Sequence, residues 1–545
     1  MAGAGGGGGS GGGGSGGGGS GGGGGAGAGT GGPLVRWLRE VWEIRLYRYI
    51  ALLVTLALVA GAFFAVRTVT REDRSCAPGV SRPEGSGECV GVATDAYDFG
   101  QPRLREAVRA IDRENDALKA GSYVTVALML PYTATTPSTL SDILHEVQGA
   151  YLAQWQANHT SNGQAPAIRL VLANPGATSE HWEVMVDQLE RMTKSADRLR
   201  AVAGVGQSTD NNKKAVIELT RRGIPVIGAS ITADDLANGQ DGKDPFPGLA
   251  RVAPTNTDEA RALASFAKVS AGRALLVYDK PGDPYTRTLQ ASFAALIKGS
   301  PYEPQPFTPP ADRTREGTTA NTFRQITHLV CDTAPGTDTI LFAGRHTQLR
   351  QFINALGTRG CQDRRFTLLT GDEGSYLTGD KKLDRTALTH NLSVRYTALA
   401  HPDAWPSDPA VTGGSARDAR TLTDLLARAG RAPVGPIGET GGTGLEDGQL
   451  IIGYDAVRLA VHGVREATPD GAAVPPLAEV GLQWPQVKGS LRVNGASGWI
   501  CLDVHGNPYD KAVPIVELTP EGGSRFVRIA WPEGKPPAKE CLPPS

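Results

Sequence analysis

Two polar loops separated by one helix carry the residue types that could hold a small molecule. In the stretch from Ala203 to Leu236, AGVGQSTDNNKKAVIELTRRGIPVIGASITADDL, the first loop is Gly204-Val205-Gly206-Gln207-Ser208-Thr209-Asp210-Asn211. Its glycines free the backbone, and its hydroxyl and acidic side chains are helix-capping types. Ala215, Val216 and Leu219 then fall at helical spacing, Gly223 is placed to end the helix, and Ile224-Pro225-Val226-Ile227 reads as a buried strand. The second loop, Gly228 to Asp234, follows that strand. In an open parallel sheet such loops lie side by side at the carboxyl ends of neighbouring strands, where small ligands bind. Helix capping alone accounts for the same residues equally well.

Other chemistries find little support. GASIT is not a GxSxG elbow, and GVGQST lacks the third glycine of a dinucleotide loop and the lysine of a phosphate loop. His145-Glu146 has no second histidine to complete HExxH, and the 9 histidines are scattered. No cofactor or metal is therefore expected, and no enzyme. Net charge is -1, which gives no reason to expect a nucleic-acid partner. Arginine outnumbers lysine, and alanine and glycine are abundant, as in proteins of GC-rich bacterial genomes such as those of actinobacteria.

Strands and helices must alternate to position such loops. Val124 to Leu130 reads as the first buried strand, with a helix from Leu140 to Ala157; Ile168 to Ala173 is the second, with a helix from Glu180 to Ala196. The opening stretch supplies the third and fourth. A second series follows a crossing at Arg251 to Asn256: strands Ala274 to Tyr278, Thr339 to Ala343 and one ending at Thr370, each with its helix. Alternation of this kind implies parallel sheets covered by helices on both faces. Two such lobes would leave a cleft between their loops.

The N-terminal region is different. Residues 1–32 are almost all glycine, a tail with no side chains to form a core. Residues 33–48 have the pattern of an amphipathic helix at a membrane surface, with tryptophans among the apolar positions and arginines opposite. Tyr49 to Val66 is an uncharged apolar run that spans about 27 Å at helical rise, against a hydrocarbon core of about 30 Å, so a single transmembrane helix is expected. The basic residues before it favour a cytoplasmic N-terminus and an extracellular remainder, with residues 67–121 as a polar stalk.

The 6 cysteines all follow the apolar run. Sequence alone does not fix their pairing. The preferred set is Cys76 with Cys89, Cys331 with Cys361, and Cys501 with Cys541, the middle pair because both cysteines precede predicted strands and so lie at one end of adjacent sheet units. Buried free thiols are the alternative.

The ordered series LPYTATTPS, GVGQSTDN, GIPVIGASITADDL, ARVAPTNTDEARALASF, LLVYDKPGDPYTRTL, TDTILFAGRHTQLRQFINAL, LLTGDEGSY, GYDAVRLA and NGASGWICLDVHGNPYDKAVPIVEL resembles the type I periplasmic-binding-protein fold, in its leucine/isoleucine/valine-binding branch. The resemblance covers roughly Val124 to Leu518. It implies an α/β domain over 122–541 of two Rossmann-like lobes with parallel sheets joined by three crossings. Lobe 1 would take about 122–252 and 394–485, and lobe 2 about 256–392 and 490–541. It also implies a hinge-bending receptor that captures an amino-acid-like or carboxylate-bearing solute for an ABC importer. The other role open to it is a membrane-anchored sensor acting through a partner protein. By matched position, Ser208, Thr209, Ser230 and Thr232 would hold the ligand carboxylate, while Tyr285 and Glu373 would receive its amine. Arg345 departs from the family pattern, and an arginine in the cleft would favour an acidic ligand; a solvated surface charge is the other reading. Pro402 to Asp447 matches the family poorly and reads as variable loops of the first lobe.

Overall fold

The computed structural model describes residues 45–69 and 74–544, apart from 161–163, 313–314 and 442–443, together with Pro33 and Trp37. The glycine-rich tail and most of the amphipathic segment lie outside the described residues. The chain divides into two compact units, Met1–Asp73 and Arg74–Ser545.

In the first unit the apolar run falls within the helix Arg45–Val69. Leu52, Leu53, Leu56, Leu58 and Val59 are each between 60% and 68% exposed among the described residues. Among the described residues, no helix is long and apolar enough to cross a membrane.

The second unit is built on two sheets. The first runs Ser75–Ala77, Val80–Ser81, Val90–Ala93, Ala167–Asn174, Tyr123–Met129, Leu199–Gly204, Val226–Gly228 and Leu249–Arg251, parallel from Ala167–Asn174 onward. The second runs Gln305–Phe307, Ala274–Asp279, Thr339–Ala343, Phe366–Thr370 and Leu392–Thr397, all parallel, then Val513–Leu518 and Ser524–Ala530, antiparallel. Numbered in chain order, the five parallel strands of each sheet lie in the order 2-1-3-4-5, so the winding reverses between strands 1 and 3. The unbroken apolar runs follow from burial on both faces. In Tyr123–Met129, Val124, Val126 and Leu128 enter one core while Ala127 and Met129 enter another; in Ala274–Asp279, Leu275 and Val277 part from Ala274 and Leu276 in the same way. The chain passes between the lobes after Arg251, after Thr397 and before Val513.

Several boundaries differ from the sequence reading. Residues 75–93, expected in a polar stalk, add three strands to the first sheet, where Val90, Val92 and Ala93 are buried and Gly91 pairs with Asn174. The helix Arg105–Asp116 also buries Ala107, Val108 and Ile111 in the first lobe's core. Leu392–Thr397 belongs wholly to the second sheet, and the hairpin Val493–Ile500, expected in lobe 2, packs into the first core through Val493 and Ile500. Within Pro402 to Asp447 the helix Ala416–Arg428 sends Leu422 and Leu425 into that same core.

All three expected disulfides are present: Cys76–Cys89, Cys331–Cys361 and Cys501–Cys541, with Cα separations of 6.1, 5.6 and 6.3 Å. The middle bond joins the end of the helix Thr319–Cys331 to the loop before Phe366–Thr370, the position expected from neighbouring parallel units. It closes 30 residues of chain, so Cys331→Ser/Cys361→Ser is expected to lose about 2–4 kcal/mol in urea unfolding. A loss that vanishes when both proteins are compared under reducing conditions would assign the effect to the bond; a loss that persists would assign it to packing of the sulfurs.

Candidate functional site

The carboxyl ends of strands 1 and 3 of the parallel set mark where each lobe can hold a ligand. In the first lobe these ends are Met129 and Gly204. Gly204, Val205 and Gly206 all have positive φ, at 95°, 77° and 70°, which turns the chain sharply from strand to helix. Val205 is β-branched and 1% exposed, so the loop holds a strained residue in place by packing. The loop places Thr209 as N-cap of the helix Asp210–Arg221, accepting from the Asn212 N–H at 3.2 Å. In the second lobe the ends are Asp279 and Ala343, followed by Asp283 and Arg345, which precede the helices Pro284–Leu296 and His346–Gly357.

Six of the seven expected residues meet at one point between the lobes: Ser208, Ser230, Thr232, Tyr285, Arg345 and Glu373. Thr209 is spent on its cap and does not line this point. The space left among them is about 10 Å³, because Arg345 fills it. Its Nε donates to Asp283 Oδ2 at 2.9 Å, Nη1 to Glu373 Oε1 at 2.5 Å, and Nη2 to the Ser208 carbonyl at 2.7 Å. The guanidinium lies 4.7 Å from the Tyr285 ring centre. Arg345 is thus neither a solvated surface charge nor an unpaired cation; it is 6% exposed and answered by two carboxylates. An attraction for acidic ligands resting on its charge alone is correspondingly reduced.

The partners of Arg345 are fixed in turn. Glu373 Oε2 accepts from the backbone N–H of His346 at 2.9 Å and from its Nδ1 at 2.7 Å. Burial works against the charge on Glu373, but Arg345 and His346 outweigh it and hold the carboxyl at about 2. Neighbouring Asp372 is pushed up to about 7 by burial and by the Glu373 charge. Tyr285 OH accepts from the Glu373 N–H at 3.4 Å.

The hydroxyls are engaged as well. Ser208 Oγ accepts from the N–H groups of Thr232 and Ala233 at 3.0 and 3.2 Å, and Ser230 Oγ donates to the Gly206 carbonyl at 3.1 Å. Thr232 Oγ1 reaches Asp372 Oδ1 at 3.4 Å, and Gln207 Nε2 donates to Tyr376 OH at 2.6 Å; both bonds join the lobes.

Sequence reasoning missed Asp283, Gln207 and Tyr376. Asp283 before Pro284 signals only a helix cap, which it also provides by accepting from Thr286 N–H at 2.9 Å. Nothing local marks Gln207 or Tyr376, since their contact spans 169 residues.

No protein-family profile matches the chain, and no curated protein matches it in sequence. Solved structures do. A leucine-binding protein of Thermotoga maritima superposes with a TM-score of 0.53 at 16% identity, covering 75% of this chain and 99% of its own. An ABC transporter substrate-binding protein of Desulfitobacterium hafniense in complex with leucine gives 0.51 at 17%, covering 74% and 100%. A solute-binding protein of an ABC transporter from Rhodopseudomonas palustris, in complex with 3,4-dihydroxybenzoic acid, gives 0.50 at 14%, covering 75% and 97%. The second unit of this chain therefore has the type I periplasmic-binding fold, in the form shared by leucine/isoleucine/valine-binding and related substrate-binding proteins.

Proposed function

We propose that this chain is an extracytoplasmic solute-binding protein that captures a small polar solute between its lobes for an ABC importer. The observation that carries this reading is Arg345, which reaches from the ligand-holding end of one doubly wound sheet to the Ser208 carbonyl at the corresponding end of the other. A residue that bridges the lobes there can hold them together without a solute. A solute that displaces it takes over both halves of the contact, and this ties occupancy to lobe geometry. Catalysis is not part of this reading, whose support comes from neighbours in fold that are substrate-binding proteins. The neighbours in fold hold amino acids and hydroxylated benzoates, and they set the size class to test.

The membrane anchor in this reading is the uncharged run Tyr49 to Val66, proposed from its sequence alone, about 27 Å at helical rise against a hydrocarbon core of about 30 Å. The three disulfides fit an oxidising compartment.

The test is thermal unfolding of the full chain in detergent, followed by tryptophan fluorescence, with amino acids, hydroxybenzoates, dicarboxylates and short peptides. A solute present at 100 times its Kd is expected to stabilise the fold by about 2.7 kcal/mol. A panel of these classes that leaves the unfolding temperature unmoved would count against solute capture.

A further inference from the structure

The C-terminal segment joins the two lobes again, beside the last of the three crossings. Ser524–Ala530 is the edge strand of the second sheet, and its final residue, Ala530, pairs with Val513, where that crossing enters the sheet. From Ala530 the chain returns to the first lobe, because the buried Cys541 is bonded to the buried Cys501. Cys501 stands between Ile500 and Leu502, both in the first lobe's core. The residues after it are held to that lobe as well: the Arg251 N–H donates to the Gly506 carbonyl at 3.0 Å, and Asn507 Nδ2 to the Asn238 carbonyl at 3.0 Å. On the same side, the Gly489 N–H donates to the Cys541 carbonyl at 3.4 Å.

Residues 501–513 and 530–541 therefore connect the same two places. They are tied at one end by the pairing of Val513 with Ala530 and at the other by the disulfide. Between these ends they also touch. The Glu533 N–H donates to Asp510 Oδ1 at 3.3 Å, and Trp531 shares an apolar cluster with Ala512, Ile529 and Trp405, the two tryptophan rings 6.4 Å apart. Thr412 Oγ1 donates to the Pro537 carbonyl, which pins the segment midway. Pro532, Pro536 and Pro537 each have φ fixed by their rings, so the segment is stiff for its length. A lone crossing absorbs a hinge motion by changes in its own φ and ψ. Two segments joined at both ends cannot rotate independently.

We infer that residues 531–541 are a strap that limits how far the lobes open. The inference rests on the solute-binding reading above in taking the lobes to hinge, and it adds a stop to that motion. With the stop in place, breaking the bond from Arg345 to the Ser208 carbonyl frees the site without parting its two halves widely. A solute that displaces Arg345 then meets both lobes after only a small closure.

Spin labels carried by Arg103→azidophenylalanine and Lys381→azidophenylalanine report the opening. Both positions are exposed and line the space between the lobes, one from each. Pulsed dipolar distances are measured on the full chain in detergent in an Arg345→Ala background, which removes the other tie. Glu373→Gln, which weakens the same contact, takes its place if Arg345→Ala does not fold. The strap is tested by inserting a Gly-Ser linker between Gly534 and Lys535, both exposed, which lengthens it while keeping the Cys501–Cys541 bond. With the native strap the labels are expected to stay in one short population; with the lengthened strap a second, longer population is expected. Equal distributions for the two straps, whether both short or both long, overturn the inference. Solute capture is decided separately by the unfolding panel, so it stands if the panel gives a shift and the strap falls.

Discussion

Replacing Arg345 by alanine is expected to cost about 3–5 kcal/mol of unfolding stability at neutral pH, the range for removing one partner of a buried ion pair. Two carboxylates, on Asp283 and Glu373, lose their shared cation, and the first lobe loses its bond through the Ser208 carbonyl. The pH dependence gives the loss a signature. Glu373 titrates at about 2 in the fold against an ordinary 4.5, so its contribution is present above pH 4.5 and is lost as pH falls toward 2. Without Arg345 only the His346 contacts oppose burial, so the stabilisation that Glu373 brings above pH 4.5 shrinks in the variant. Urea unfolding at pH 7 and pH 4 should therefore show a wide gap between wild type and variant at the higher pH and a narrower one at the lower. Glu373→Gln placed on Arg345→Ala should recover part of the loss, and a double-mutant cycle measures the coupling. An unchanged urea midpoint at pH 7 would mean that Arg345 contributes nothing to holding the lobes.

Gly149→Ala is expected to destabilise the chain by roughly 1–3 kcal/mol or more, as overpacking of a closed interface does. A Cβ built there would sit 2.0 Å from the Leu450 carbonyl oxygen and 2.8 Å from the Tyr454 nitrogen. Both are backbone atoms of the helix Gln449–Glu466, which crosses Pro137–His159 at this point, so no rotamer change relieves the contact. Gly453 makes the reciprocal approach, its Cβ position 2.7 Å from the Glu146 carbonyl oxygen. Relief requires the helices to part, and the same parting strains the bond between His145 and Asp447. Gly272→Ala, with open space around it, is the control expected to be neutral. Thermal unfolding of the two variants decides it: equal midpoints would show that the helix pair yields without cost.

Much of the domain was legible before any coordinates, because its information is local. Apolar runs bounded by glycine and capping residues fixed the strands and helices, and Thr339–Ala343 falls on the expected residues. Periodicity works there because a parallel strand buried on both faces must be apolar throughout. Residues 75–93 escaped the same logic: three short strands with glycines between them carry too little pattern to separate from a polar stalk, and only pairing with Ala167–Asn174 gives them a sheet.

The candidate site divides along the same line. Sequence and resemblance together brought six residues to one point, since each follows a strand and parallel sheets gather such loops at one edge. What fills that point came from tertiary structure alone. Arg345 finds Glu373, Asp283 and Ser208 at separations of 28, 62 and 137 residues, distances over which no spacing rule operates. The order of residues along the chain determined which loops could meet. Which side chain would occupy the meeting place, and so where space was left for a ligand, was decided by the packing of two lobes against each other.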